Sequence, residues 1–88
     1  MFQAEEAIVI TIHLRVELMP GLRRVGDKSF FDLKLPDAAT VKTMLAKLDF
    51  KDDEMNHLRI FVNNKLERLE KNLNDGDNVW VGFVIGGG

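Results

Sequence analysis

Apolar and polar residues alternate from early in the chain. In IVITIHLRVEL, Ile8, Ile10, Ile12, Leu14, Val16 and Leu18 share one parity, and Val9, Thr11, His13, Arg15 and Glu17 take the other. A period of two predicts a β-strand with one buried face. The turn formers Pro20, Gly21 and Gly26 follow, and FFDLKLP then puts Phe31, Leu33 and Leu35 on one face until Pro36 ends the run. These two strands are expected to pair as a hairpin. The period changes in PDAATVKTMLAKLDF, where Thr40 suits a helix N-cap and Val41, Met44, Leu45 and Leu48 recur at the spacing of an amphipathic helix. Alternation returns in LRIFVNNKLE, with Leu58, Ile60 and Val62 inward and Asn63-Asn64 as a turn into a short strand around Leu66. A last strand in DNVWVGFVI places Val79, Val81, Phe83 and Ile85 on one parity.

One half-buried sheet and one amphipathic helix satisfy each other only by packing face to face. The order β-β-α-β-β-β with a right-handed crossover predicts an α+β domain of the β-grasp type, a mixed sheet of four to five strands on one main helix. The domain is expected to span residues 1–85, with residues 86–88 as a flexible glycine tail. If Val79, Val81 and Phe83 face the helix, Trp80 and Val84 point away from it, as do Phe61 on the third strand and Phe30 on the second. The third and fifth strands are neighbours in such a sheet, so Phe61 and Trp80 are expected to form one patch near the tail, suited to partner docking or dimerisation. The alternative cover for these rings is the N-terminal segment MFQAEE, whose Phe2 is otherwise unused.

Composition narrows the chemistry. With 88 residues and 45% hydrophobic content, the chain builds one modest core. Twelve basic residues against 14 acidic ones leave a net charge of −2, which gives no field to draw nucleic acid or an anionic membrane. The acidic start MFQAEE and the alternating residues after it predict neither a signal peptide nor a membrane span, so the expected address is cytoplasmic. There is no cysteine, which removes disulfides, thiolate nucleophiles and thiolate metal ligands together. His13 and His57 are isolated, and zinc needs more ligands at suitable spacing, so no metal and no cofactor are assigned. Arg23 and Arg24 read as solvated loop cations that suit an acidic partner, and Asp75 and Asp77 around Gly76 as turn chemistry rather than a catalytic pair.

Three stretches in order, LKLPDAATV, FVNNK and LNDGDNVWVGFVIGGG, together resemble the ubiquitin-like sulfur carriers, the family of the molybdopterin-synthase small subunit and the thiamine sulfur carrier. The shared pattern is Leu-x-Leu-Pro, Ala-Thr-Val, Val-Asn-Gly-x and Leu-x-Asp-Gly-Asp-x-Val, closed by Gly-Gly. Nearly the whole chain is covered after its first few residues. The long first strand and the loop LMPGLRRVGDKS look most like the molybdopterin-synthase small subunit. Two positions depart from the pattern: Asn64 stands where the family commonly has glycine, and GFVIGGG lacks the prolines often found before the terminal pair.

The resemblance implies a carrier, not an enzyme. An ATP-dependent, E1-like adenylating enzyme would join the Gly88 carboxylate to AMP, and a sulfur donor would replace AMP to leave a thiocarboxylate. A biosynthetic enzyme such as the molybdopterin-synthase large subunit would take the sulfur. The residues agree with this independently. Gly86, Gly87 and Gly88 carry no Cβ and, extended, reach roughly 10 Å beyond the last packed residue through a channel too narrow for side chains. Two alternatives share the sequence features: a protein modifier whose activated glycine is passed to lysine amines, and a β-grasp interaction domain with an inert tail.

Overall fold

The computed structural model describes residues 10–22 and 29–83. Alternation from Thr11 to Leu18 builds β1, with Ile12, Leu14, Val16 and Leu18 all buried. The segment Phe30–Pro36 forms β2, antiparallel to β1, with Leu35 buried and Phe31 and Leu33 packed partly against the core. The main helix α1 covers Val41–Lys47 and is started as expected by Thr40. Thr40 Oγ1 accepts the Thr43 N–H at 3.2 Å and Thr43 Oγ1 accepts the Thr40 N–H at 3.2 Å, so each residue satisfies one orphan donor of the first turn. Val41, Met44 and Leu45 are fully enclosed, each contributing about 1.5–3 kcal/mol of apolar burial.

A second helix, α2, spans Asp52–Met55 and was not expected. Four residues are too few to show a helical period. It is held by the Lys51 N–H donating to the Glu54 carboxylate at 2.7 Å, and its first turn carries Asp52, Asp53 and Glu54, the charge sign that a helix start favours. Strands β3 (Leu58–Val62), β4 (Lys65–Glu67) and β5 (Asn78–Phe83) complete a five-stranded sheet in the order β2-β1-β5-β3-β4. β1 and β5 run parallel at the centre, and β3 lies antiparallel to both β4 and β5, so the sheet is mixed. The turn between β3 and β4 uses Asn63 and Asn64 at φ 52° and 71°, the left-handed conformation for which asparagine is suited.

The core joins the inward residues of all the long strands to Val41, Met44, Leu45 and Leu48. It also takes in Ala39, Phe50, Met55 and Leu73 from the connecting segments. Ile10 departs from the inward parity and is 61% exposed. It precedes the last ladder pair, Thr11 with Pro36, so alternation continues in the sequence where the sheet has ended. Phe83, also expected inward, is half-buried at the end of β5, beside Leu22 and Leu58 in a groove of about 450 Å³. Ile8 and Ile85 lie outside the described residues. Among the described residues no helix is long and apolar enough to cross a membrane.

Candidate functional site: the open face of the sheet

Strand parity sends every second residue away from the helix, and ladder register decides which of these become neighbours. On that outer face Phe30 of β2 stands opposite Glu17 of β1, Glu17 opposite Trp80 of β5, Trp80 opposite Phe61 of β3, and Phe61 opposite Leu66 of β4. One row therefore crosses the whole sheet, with four large apolar side chains and one carboxylate. Phe30 is 57% exposed and Leu66 55%, while Phe61 and Trp80 are half-buried against each other. Their ring centroids are 5.7 Å apart at 69°, an edge-to-face arrangement. A groove of about 540 Å³ follows the row, with Phe30, Phe61, Trp80 and Glu17 among its lining residues.

Gly82 explains the pose of the tryptophan. It is the next outward position on β5, and a Cβ built there would overlap the six-membered ring of Trp80. The missing side chain lets the indole lie along the strand toward its C-terminal end, instead of standing up from the sheet. Trp80 is thus laid on the side from which the chain continues to Val84, Gly86, Gly87 and Gly88, residues that lie outside those described.

Beside the row, Arg15 sits 5.9 Å from the Phe30 ring centroid with its Nε 3.8 Å from Asp32 Oδ1. Immediately before β5, the Asp-Gly-Asp turn fixes the start of the strand. Asp77 is buried; its carboxylate accepts the Asn63 side-chain amide at 2.9 Å and the Asn74 N–H at 2.8 Å. Gly76, at φ 87°, donates its N–H to the His13 carbonyl at 2.8 Å. Asp75 accepts the His13 backbone N–H at 2.7 Å and faces the His13 ring at 3.2 Å. These bonds to His13 hold the Asp75 carboxyl below its ordinary range. Both carboxylates are therefore engaged in tying β5 to its neighbours, and the turn reading of Asp75 and Asp77 holds. Among the described residues no three His, Cys, Asp or Glu side chains gather into a metal site.

No protein-family model matches the chain, and neither does any curated protein. Solved structures do match it. Small archaeal modifier protein 1 from Haloferax volcanii superimposes with a TM-score of 0.71 at 20% identity, covering 84% of this chain and 99% of that one. A putative molybdopterin converting factor subunit 1 from Pyrococcus furiosus gives 0.68 at 18%, covering 84% and 99%. In the complex of subunits 1 and 2 of the molybdopterin-converting factor from Helicobacter pylori, the matched chain gives 0.59 at 21%, covering 88% and 100%. The fold is the ubiquitin-like β-grasp. The expected α+β architecture is confirmed with five strands and an added short helix.

Within this β-grasp sheet, the expected pairing of Phe61 with Trp80 is present, and Phe30 lies on the same face two strands away from Trp80. Sequence reading missed Glu17 and Leu66 as members of the row, and Gly82 as the seat of the indole. The first two follow from register alone, since counting outward from the Asn63-Asn64 turn pairs Phe61 with Leu66.

Proposed function

We propose that this chain is a sulfur-carrier protein whose Gly88 carboxylate is the reactive group, most like the small subunit of a molybdopterin synthase and acting in the cytoplasm. A domain of residues 1–85 presents the tail of residues 86–88. The carboxylate would attack the α-phosphate of ATP, releasing pyrophosphate and forming an acyl adenylate. A sulfur donor would then displace AMP to leave a thiocarboxylate. An E1-like adenylating enzyme supplies that chemistry, and a second enzyme, such as a molybdopterin-synthase large subunit, accepts the sulfur. The observation that carries the reading is the continuation of β5: it runs beneath the Trp80 ring, ends at Phe83, and leads within a few residues into Gly86-Gly87-Gly88. An apolar face beside a thread of glycines suits a partner that grips the domain and draws the tail into a narrow channel. The Helicobacter pylori structure is a complex of two converting-factor subunits, which supports a protein partner for a domain of this fold.

A second reading is favoured by the likeness to a small archaeal modifier protein: the same activated glycine would be transferred to a lysine amine as an isopeptide. The third reading, an interaction domain with an inert tail, needs no activation at all. Intact mass after incubation with the organism's adenylating enzyme, ATP and a sulfur source tests the proposal. One oxygen should be exchanged for sulfur in the C-terminal peptide. Removing Gly88, appending an alanine, or placing phenylalanine at Gly87 should prevent the exchange without altering thermal stability. An unchanged mass for the full chain refutes the carrier; lysine-linked conjugates in cells with no free thiocarboxylate identify a modifier.

A further inference from the structure

The outer row Phe30, Glu17, Trp80, Phe61 and Leu66 spans roughly 19 Å from edge to edge at the usual interstrand spacing, and its apolar character is broken only by Glu17. Glu17 is exposed, and among the described residues no cation pairs with it. Arg15, two positions earlier on the same face and lining the same groove, is engaged with Asp32 at 3.8 Å and lies over the Phe30 ring. A partner covering the four apolar side chains must also remove water from this carboxylate. Dehydrating it without a counter-charge would oppose the gain from the surrounding apolar contact. A second copy of the row itself contributes only apolar groups and another Glu17, and the Arg15 that lines its groove is already engaged with Asp32 and the Phe30 ring.

We propose that Glu17 is the specificity-determining residue of this face, and that its occupant is a protein surface with an apolar ridge carrying one lysine or arginine opposite Glu17. Glu17 selects that partner by charge, while Phe30, Trp80, Phe61 and Leu66 supply the contact area. The assignment rests on the carrier reading only for the choice of probe. That probe is the organism's purified adenylating enzyme without ATP, titrated calorimetrically with the full chain and with Glu17→Asp, Glu17→Gln and Glu17→Lys at low and high salt.

Glu17→Lys should weaken binding about tenfold or more and Glu17→Gln about three- to tenfold, while Glu17→Asp keeps most of the affinity. Added salt should weaken the wild-type complex more steeply than that of Glu17→Gln. All three variants should unfold at the wild-type temperature. Affinity within about twofold of wild type for Glu17→Lys, equal salt dependence, or no binding by the wild-type chain would overturn the assignment. So would a dimer dispersed by Trp80→Glu, which gives the face to a second copy, or tighter binding on Phe2→Ser, which gives it to the N-terminal segment. The mass test at Gly88 reports separately. Binding that depends on Glu17 with no mass change defeats the carrier alone; loading with charge-insensitive binding defeats this assignment alone.

Discussion

The two faces of the sheet are built by one set of ladders yet differ in what they do with apolar residues. On the inner face Phe31, Val16, Val79 and Val62 stand in register, and the three valines are buried beneath the helix layer. On the outer face the adjacent row is Phe30, Glu17, Trp80, Phe61 and Leu66, with larger side chains and, among the described residues, no helix over them. The inner row closes with small β-branched residues that fill a fixed space. The outer row keeps its apolar area partly in water and places a charge in its midst. Similar apolar content thus serves stability on one face and, in the reading proposed above, recognition on the other.

The sharpest way to break this contrast is to place polar groups at neighbouring residues of β5 that face opposite ways. Val81→Asp places an unpaired carboxylate in the core and should leave no cooperative unfolding transition by circular dichroism, because its cost is comparable to the whole stability of a domain, about 5–15 kcal/mol. Leu45→Ala, a large-to-small change beneath the sheet, should lower stability by about 2–5 kcal/mol in denaturant titration. Asp77→Ala strands the Asn63 amide and the Asn74 N–H and should cost about 1–3 kcal/mol. On the outer face Trp80→Ser forfeits the edge-to-face contact with Phe61, about 0.5–1.5 kcal/mol beyond the half-buried area of the indole, and the fold should be preserved in NMR spectra. A Trp80→Ser chain that fails to fold would erase the distinction between the faces.

The smallest effect belongs to Asp75, which is solvent-exposed. Its carboxyl is held below the ordinary range, chiefly by the His13 backbone N–H, so its contribution is complete above the unfolded value near pH 4 and fades as pH falls through the lower folded value. The difference in melting temperature between wild type and Asp75→Asn should therefore be present at neutral pH and shrink in acid. A difference that grows in acid would mean the sign is reversed.

Much of this architecture is legible in the sequence because it is written in local periods. Alternation marked β1 through Ile12, Leu14, Val16 and Leu18, helical spacing marked α1, and two adjacent asparagines marked the β3–β4 turn. What was not legible depends on partners distant in sequence. Leu73 is buried because its N–H reaches the Ala39 carbonyl at 2.9 Å, and nothing in the segment KNLND announces that. The outer row was visible only in part. Phe61 and Trp80 followed from strand adjacency, whereas Glu17 and Leu66 needed the register, in which a slip of one residue would send different side chains outward. Gly82 needed one step more, the direction in which the Trp80 ring falls.

That fallen ring makes the protein its own spectroscopic probe. Trp80 is the only tryptophan in the chain, and it lies half-buried over Gly82 in the row where a partner would settle. Its ultraviolet emission responds to the polarity around the indole, so covering the face should shift the spectrum to shorter wavelength and shield the ring from a soluble quencher. The face proposed for docking can thus be watched without a label, one photon at a time.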